Sequence, residues 1–313
     1  MNTPYSHKLL LTALTACCVT GCENDYDPAS RVTDLRVLAV QADTPFAAPG
    51  QAVQVTALAY DPEQRPITWA WGLCDGAEDS SVSGCIARFV ELSEAHGSPP
   101  WLAVGEGQAS AGFTIPDDAL ERLPAEARWQ AEVGVLSVAC PGDLRVVDDG
   151  LEIPFACTDS TTGRELEPSE YVVGVKRVYV RSSDQNQNPE IERVLFDGDD
   201  WPVDEIKEVD SCDTDTNDYT VCKGNAKHRV AAIVSPASFE SGTDEYGRDF
   251  SEQLVIQHYS TEGIFEGEVR VADDPTTGWV ARRRASGSEI TLWFVARDDR
   301  GGVGWAERRV HVR

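Results

Sequence analysis

Apolar and polar residues alternate with a period of two along most of the chain, and turn residues interrupt the alternation at short intervals. This period is typical of β-strands that bury one face. The segment 53–59 alternates in this way after a Pro-Gly turn, and the segment 67–71 places Ile67, Trp69 and Trp71 on a common face. We therefore expect both segments to be strands that contribute to a hydrophobic core.

Further segments carry the same signal. Strands are predicted at 35–38, 129–135, 173–179, 228–234, 254–259, 267–271, 290–297 and 305–312. In the first half of the chain the single helix signal is the stretch 117–123 after Pro116, about two turns long. Many short strands without long helices between them predict an all-β fold made of antiparallel sandwiches.

An internal repeat indicates two copies of one architecture. The first unit opens with the strand 35–38 and closes with 176–181, and the second opens with 192–195 and closes with 308–313. Both closing strands contain Arg-Val-x-Val-Arg, and a polar stretch that ends before Pro189 separates the units. We predict a first domain at 31–182, a linker at 183–188 and a second domain at 189–313.

Several of these segments carry a family resemblance. The strand 32–40, the Ala-Pro-Gly turn at 48–50 and the Trp-rich strand 67–71 resemble the opening of bacterial Ig-like domains. The segment 292–305, in which an Asp/Gly turn joins two strands, is similar to the last hairpin of Ig-like, PKD-like and cadherin-like modules. The whole pattern resembles tandem Ig-like lipoproteins of Gram-negative envelopes. The resemblance implies two tandem Ig-like antiparallel β-sandwich domains and an envelope binding, adhesion or structural role without enzymatic chemistry.

The N-terminal segment 1–21 has the features of a secretory signal peptide, and its apolar stretch is too short to span a membrane. Val19-Thr20-Gly21-Cys22 resembles the bacterial lipobox. The resemblance implies that Cys22 becomes the first mature residue and carries acyl chains such as palmitate, which anchor a protein without a basic patch. Glu23 at the second mature position favours the outer membrane, on its periplasmic or its external side. The segment 22–30 is then a short acidic tether.

The charge of the chain restricts its partners. It carries 53 Asp and Glu residues against 27 Lys and Arg, which gives a formal net charge of −26. Nucleic acid is excluded as a partner because phosphate neutralisation needs a basic face. The single basic run, 282–284, is expected to pair with neighbouring acids. The expected partners are the membrane, through the N-terminal lipid, and an envelope protein or glycan.

The cysteines predict three disulfide bonds. Nine are present, of which Cys17 and Cys18 leave with the signal peptide and Cys22 is lipidated. The remaining even number indicates disulfide bonding in an exported protein. They fall into three couples close together along the chain, for which we predict the pairs Cys74–Cys85, Cys140–Cys157 and Cys212–Cys222. No cysteine spacing typical of a zinc site is present.

The linker is a candidate site for structural calcium, because hard cations take carboxylate and amide oxygens on a flexible backbone. Asp184, Asn186 and Asn188 stand at alternate positions before a proline, an arrangement similar to the cadherin interdomain linker. Gln187 departs from that pattern, which has an aspartate between the two asparagines. A solvated polar linker is the alternative.

The segment 213–218 is the second calcium candidate. It has the Asp-x-Asp-x-Asn start of an EF-hand loop but lacks the Gly and Glu that complete one. Its candidate ligands are Asp213, Asp215 and Asn217. An acidic surface loop closed by the Cys212–Cys222 disulfide is the alternative. No other cofactor is expected.

No catalytic motif is recognisable in the sequence. It has no G-x-S-x-G elbow, no dinucleotide-binding fingerprint and no histidine pair at metal-ligand spacing. We therefore expect a non-catalytic, lipid-anchored envelope protein. Two alternatives stay open: a calcium-rigidified spacer that presents the distal domain, and an envelope enzyme subunit without a recognisable motif.

Overall fold

The computed structural model describes residues 27–74, 81–97, 100–147, 154–182, 186–244 and 247–313. Within these ranges the fold is all-β with one α-helix. No helix in the same ranges is long and apolar enough to cross a membrane. Short 3₁₀ turns lie at Ala125–Ala127, Tyr219–Val221, Gly224–Ala226, Pro236–Ser238 and Arg283–Ala285.

The first half of the chain forms a β-sandwich. Its strands and helix are β1 (Arg36–Ala42), β2 (Phe46–Ala47), β3 (Ala52–Tyr60), β4 (Thr68–Cys74), α1 (Val82–His96), β5 (Trp101–Glu106), β6 (Ser110–Thr114), β7 (Ala131–Cys140), β8 (Asp143–Val146), β9 (Phe155–Thr158) and β10 (Val172–Val180). One sheet has the order β1-β3-β6, and the other has the order β2-β10-β7-β4-β5. Strands β8 and β9 pair as a separate hairpin.

The second half forms another sandwich. Its strands are β11 (Ile191–Phe196), β12 (Asp199–Asp200), β13 (Ile206–Val209), β14 (Lys227–Val234), β15 (Ser241–Thr243), β16 (Asp249–Ser251), β17 (Val255–Ser260), β18 (Ile264–Phe265), β19 (Val269–Val271), β20 (Thr277–Val280), β21 (Glu289–Arg297) and β22 (Val303–Val312). The sheet orders are β12-β11-β14-β20-β18 and β13-β22-β21-β17-β19, and β15 pairs with β16.

The two sandwiches share an Ig-like strand order. In each, the opening strand pairs with the second long strand in one sheet, β1 with β3 and β11 with β14, and the closing strand pairs with a long strand in the other sheet, β10 with β7 and β22 with β21. In each, a short strand also pairs in parallel with the closing strand, β2 with β10 and β13 with β22. The sandwiches are therefore antiparallel apart from these two short pairs. The repeated opening and closing segments of the sequence correspond to β1 and β10 and to β11 and β22.

The alternation in the sequence matches the burial in the first core. Trp69 and Trp71 are both buried, and their rings stack with centroids 5.5 Å apart and planes 9° apart. They pack with Val53 and Val55 of β3 in one hydrophobic cluster. Residues two apart on a strand share a face, so the predicted Trp-rich strand face lies in the core.

Strand β7 is buried on both faces. Val133 and Val135 face the core between the sheets, whereas Leu136 and Val138 belong to a second cluster that includes Phe89 of α1. The helix and the β8–β9 hairpin thus form an additional layer on the outer face of this sheet. This layer explains why eight consecutive residues of β7, from 133 to 140, are buried.

The helix prediction at 117–123 is wrong, because this segment forms turns. It lies between Pro116 and Pro124 and is shorter than a helix that is stable without tertiary packing. The helix that the structure does contain, α1, was not predicted. Its N-cap is Ser81, whose hydroxyl accepts a hydrogen bond from the Gly84 N–H at 3.0 Å, and it ends at Gly97 with a φ of 69°.

Three disulfides join the predicted pairs, Cys74 to Cys85, Cys140 to Cys157 and Cys212 to Cys222. The first connects β4 to α1, and the second connects the end of β7 to β9. The third closes a loop of the second sandwich. All six cysteines are buried. The first two bonds hold α1 and the β8–β9 hairpin to strands of one sheet, and the third joins two residues outside the strands.

The two sandwiches pack against each other through a hydrophobic interface. On β21, Leu292 and Phe294 face the second core, whereas Trp293 and Val295 face outwards and contact the first sandwich. Trp293 packs with Leu38 of β1 in one cluster. The first sandwich therefore covers what would otherwise be an exposed apolar face of the second.

Hydrogen bonds fix the register of this interface. The Arg297 guanidinium donates to the Leu38 carbonyl at 2.7 Å, and the Lys176 ammonium donates to the Gly301 carbonyl at 2.6 Å. Burial lowers the pKa of Lys176 to about 8. Both donors are charged and satisfy carbonyls of the other sandwich, so the interface has a defined geometry in addition to its apolar area.

The chain contacts the second sandwich before it enters the first. The Val32 N–H donates to the Ser260 carbonyl, and the Ser260 N–H donates to the Ser30 carbonyl, each at 2.9 Å. The Ser30 hydroxyl also donates to the Glu268 carboxylate at 3.0 Å. The end of the predicted acidic tether is thus buried against β17.

Candidate binding cleft

An open cleft of about 1010 Å³ lies on the second sandwich. Three parts of the chain line it: the loop residues 214–221, residues 264–266 in and after β18, and Asp27 together with Arg282 and Arg284. The Cys212–Cys222 disulfide closes the loop that forms the first part. We take this cleft as the candidate functional site, because binding sites are concave and carry a few fixed polar groups.

Local hydrogen bonds hold the loop in shape. The Asp218 carboxylate caps the short 3₁₀ turn by accepting from the Thr220 N–H at 2.8 Å and from its hydroxyl at 2.6 Å. The Thr216 hydroxyl accepts from the Asp218 N–H at 3.0 Å. The hydrogen bond from Thr220 lowers the pKa of Asp218. The carboxylate is therefore fixed and charged on the rim of the cleft.

Arginines converge on one carboxylate at the other side of the cleft. Glu262 forms ion pairs with Arg282, with Arg284 at 3.0 Å and with Arg31 at 3.8 Å. The Glu262 carboxylate also accepts from the Gly263 N–H at 2.9 Å. We refer to Arg31, Arg282 and Arg284 as the arginine wall, of which Arg282 and Arg284 line the cleft.

The arginine wall has more donors than acceptors. Arg31 and Arg282 are almost fully buried, at 2% and 4% exposure. The Nη2 atom of Arg282 and the Nε and Nη1 atoms of Arg31 have no hydrogen-bond partner among the described residues. Of the described residues, two carboxylates pair with the wall. One is Glu262, and the other is Asp27, which contacts Arg31 and is half exposed. The three guanidiniums are therefore matched by two carboxylates.

Gly263 permits the turn that brings Glu262 to the wall. Its φ is 102°, and a Cβ atom at this position would lie 2.6 Å from both the Trp279 indole nitrogen and the Val280 carbonyl oxygen. An L-residue with a side chain is strained in this conformation and also collides with β20. The close approach of the turn to β20 thus requires glycine.

The second calcium candidate lies partly within this cleft. Asp215 accepts from the Arg284 N–H at 2.9 Å, and Asn217 accepts from the Arg282 guanidinium at 2.7 Å. Asp213 is exposed and does not line the cleft. No group of three or more acidic, histidine or cysteine side chains suited to a metal is found in the described part of the chain. The structure brings Asp215 and Asn217 to arginine donors, and calcium binding here stays a prediction.

The linker residues are engaged between the sandwiches. Asn186 is buried, with 4% exposure, and its amide donates to the Asp298 carboxylate and the Arg300 carbonyl, each at 3.3 Å. The Asn188 amide donates to the Ala42 carbonyl at 2.7 Å. The alternative of a solvated linker is therefore wrong for Asn186. Asp184 and the lipidation candidate Cys22 lie outside the described residues.

A second charged cluster lies near the linker. The Arg300 guanidinium pairs with Glu240 and Glu252, each at 3.1 Å, and it also stacks on the rings of Phe46 and Phe250. The Glu252 side chain is fully buried. Burial raises the pKa of Glu252 to about 6. This cluster joins the two sandwiches, since Phe46 belongs to the first.

The histidines do not form a catalytic arrangement in the described structure. His258 is buried between Phe265 and Phe294. Burial lowers the pKa of His258 to about 4. His228 pairs with Asp197 at 2.8 Å on β14 and stacks on Phe196. Both side chains have structural partners inside the second sandwich.

Sequence reasoning identified part of the cleft. The basic run was expected to pair with neighbouring acids, and Arg282 and Arg284 do pair with Glu262. The contributions of Asp27 and Arg31 were missed, because no sequence signal connects them to a run some 250 positions later.

Comparisons with known proteins give structural similarity only. No family model matches the chain, and no curated protein matches it in sequence. The N-terminal Ig1-2 module of the Drosophila receptor protein tyrosine phosphatase DLAR is similar over 90% of this chain and 99% of its own, at 7% identity and a TM-score of 0.25.

Two further solved structures show the same level of similarity. The D0-D1 domain of intimin matches over 88% of this chain and 98% of its own, at 11% identity and a TM-score of 0.21. The Yersinia pseudotuberculosis adhesin InvE matches over 87% of this chain and 58% of its own, at 9% identity and a TM-score of 0.20. Because these scores are low, the Ig-like topology rests on the strand pairing described above.

Proposed function

We propose that the protein is a non-catalytic binding module of the bacterial cell envelope, anchored to the outer membrane by acyl chains on Cys22, and that it binds its partner at the cleft. The observation that carries this proposal is the cleft itself. It is open, it is bounded by a disulfide-closed loop, and it is lined by Arg282, a buried guanidinium of which one nitrogen, Nη2, has no hydrogen-bond partner among the described residues. Binding sites combine a concave surface with a few fixed polar groups in this way.

The position of the tether connects the anchor to the cleft. Asp27 lines the cleft and lies five positions after Cys22 in sequence. An extended chain of this length spans at most about 18 Å. A lipid on Cys22 therefore holds the cleft close to the bilayer surface, which favours a partner in or near the membrane.

The anchor and the binding role are tested together in the native envelope. Cells producing the protein with a photo-crosslinking residue in place of Val221, an exposed cleft residue, should yield a specific crosslinked species. The matched control carries the same residue in place of Val203, which is exposed outside the cleft. The Cys22→Ala variant should leave the membrane fraction. Equal crosslinking at both positions, or a Cys22→Ala variant that stays with membranes, contradicts the proposal.

A rigid spacer is the second candidate function, and the interface between the sandwiches favours it. In this case rigidity comes from packing around Trp293 and from Asn186 and Asn188, rather than from calcium. We expect that a chelator leaves the melting temperature unchanged. A melting temperature that falls with chelator and recovers with added Ca²⁺ supports the calcium-rigidified spacer instead.

A further inference from the structure

The arginine wall of the cleft provides a site for a specific chemical group. Of the described residues, Glu262 and Asp27 are the carboxylates that pair with its three guanidiniums. Unpartnered donor atoms on Arg31 and Arg282 are buried, where an unsatisfied charged group is costly. One further anion, or a better-placed one, would complete this wall.

Asp27 shows which anion the wall accepts. Its carboxylate pairs with Arg31, yet its side chain is half exposed and belongs to the tether rather than to the folded sandwich. Guanidinium and carboxylate groups are both planar and match each other in paired hydrogen bonds. A carboxylate on a ligand can therefore replace that of Asp27, and the tether acts as an internal competitor.

The remaining lining restricts the rest of the ligand. Four carboxylates but only two guanidiniums line the cleft, so a polyanion is repelled and a ligand with one carboxylate is favoured. Hydroxyl and amide groups of Thr214, Thr216 and Asn217, together with the rim acid Asp218, offer partners for hydroxyl groups. Tyr219 adds an aromatic ring to the lining, and the Lys227 ammonium lies 4.3 Å from the centroid of that ring.

A peptide ligand fits the cleft less well. Strand addition is a common way to bind an extended peptide and needs an exposed sheet edge. The edge strand at the cleft, β18, has only two residues, and both of its side chains are buried. The hydrogen-bonding groups of the cleft come instead from side chains, which suits a polyhydroxylated ligand.

We propose that the arginine wall binds the carboxylate of a saccharide that carries a single uronic-acid-type group, and that this carboxylate displaces Asp27. The inference rests on the proposed function, because it assigns a ligand class to the same cleft. It also predicts that ligand binding breaks the contact between Asp27 and Arg31 and so releases this part of the tether from the second sandwich.

Binding is tested by isothermal titration calorimetry of the folded mature chain with aldotriouronic acid, a xylobiose that carries one glucuronate. Xylotriose is the neutral comparison. We expect saturable binding of the acidic trisaccharide and at least tenfold weaker binding of xylotriose, because the neutral sugar leaves the guanidiniums unpaired. Absence of saturable binding by the acidic trisaccharide overturns the proposal.

Two variants separate a carboxylate site from a general charge effect. Arg284→Gln, at a half-exposed wall residue, should weaken binding about tenfold. Asp27→Asn should strengthen it several-fold, because the internal competitor is removed. Asp213→Asn makes the same charge change at an exposed residue outside the cleft and should have little effect. Equal effects of Asp27→Asn and Asp213→Asn overturn the proposal.

A third comparison distinguishes the ligand class. A tripeptide with a free C-terminal carboxylate should bind more weakly than the acidic trisaccharide. If the tripeptide binds better, and its C-terminal amide does not bind, the saccharide assignment is wrong. If neither the acidic trisaccharide nor the tripeptide binds, but crosslinking at Val221 in the envelope is specific, this inference is overturned and the proposed function stays in place.

Discussion

Individual buried polar residues set the pH dependence of this protein. His258 is 1% exposed, its Nε2 atom has no partner among the described residues, and its ring packs between two phenylalanines. Burial is the largest cause of its lowered pKa of about 4, and the nearby charge of Arg270 acts in the same direction. The hydrogen bond to the Glu268 carbonyl opposes both effects. The folded state therefore holds this imidazole neutral.

We predict that the free energy of unfolding falls as pH decreases from about 6.5 to about 4. In this window the unfolded chain takes up a proton on His258 and the folded chain does not, so acid favours unfolding. The loss amounts to about 3 kcal/mol when the whole shift is realised. His258→Phe should remove this component, and it leaves the Glu268 carbonyl bonded to the backbone N–H of residue 258.

Urea unfolding at pH 7, 6, 5 and 4 measures the effect. The free energy of unfolding of the unsubstituted chain, minus that of the His258→Phe variant, should change with pH. The control variant His96→Gln, at the end of α1, should have the same pH dependence as the unsubstituted chain. Burial raises the pKa of Glu252 to about 6. As pH falls from about 6 to about 4.5, this group therefore increases the free energy of unfolding, whereas His258 decreases it. The comparison of variants isolates His258 from this contribution. Parallel curves for all three proteins contradict the prediction.

At the scale of elements, a disulfide attaches the single α-helix of the described residues to a sheet. Helix α1 carries Cys85, and the bond to Cys74 of β4 fixes it over the outer face of the β7 sheet. The helix has few strong helix-forming residues at its start, where Val82, Ser83 and Gly84 precede the buried side. Its stability therefore depends on this bond and on packing of Ile86 and Phe89.

Removing that bond should destabilise the first sandwich and release the helix. We expect the Cys74→Ala/Cys85→Ala variant to lose about 2–4 kcal/mol of unfolding free energy. Hydrogen exchange should accelerate in α1 and remain slow in β7. The matched control removes the Cys212–Cys222 bond, whose sequence separation of 10 is close to the 11 of the Cys74–Cys85 bond. This control should accelerate hydrogen exchange in the loop 213–221 and not in α1. Unchanged exchange in α1 contradicts this account.

The signals for α1 are present in the sequence, within a chain whose dominant pattern is that of strands. Ser81 is a favourable N-cap, Gly97 is a favourable C-terminal residue, and Cys85, Ile86 and Phe89 have the spacing of a buried helix face. The stretch 117–123 shows the opposite case. Its residues favour helix, but the prolines on both sides limit its length and turns form instead.

At the scale of the whole molecule, the two sandwiches form one unit. The interface buries Trp293, whose ring lies 5.0 Å from that of Tyr60 of the first sandwich. The N-terminal segment adds backbone hydrogen bonds to Ser260. The two sandwiches are therefore held together by these contacts as well as by the linker. Two domains joined only by a flexible linker would unfold independently.

We predict that the unsubstituted chain unfolds in a single calorimetric transition and that the Trp293→Ala variant unfolds in two. Truncating this side chain should cost about 3–5 kcal/mol, and most of the loss falls on the coupling between the sandwiches. The control is Trp129→Ala, at a more exposed tryptophan of the first sandwich, which should keep a single transition. Two transitions in the unsubstituted chain, or one in the Trp293→Ala variant, would show that the interface does not couple the sandwiches.

The sequence by itself determined the features that depend on residues close together along the chain. The period-two alternation determined the strands, because side chains two apart share a face, and the spacing of the cysteines indicated the three local disulfides. The repeated opening and closing strands indicated two copies of one sandwich.

Only the tertiary structure decided what lies against the outer faces of these sheets. The consecutive apolar residues 292–296 require burial on both faces of β21, but nothing local to them identifies β1 as the strand that covers one face. The cleft likewise combines Asp27 and Arg31 with Arg282, which are far apart in sequence. Apolar burial is non-directional, so a sequence pattern states that a surface must be covered, and the packed fold determines which segment covers it.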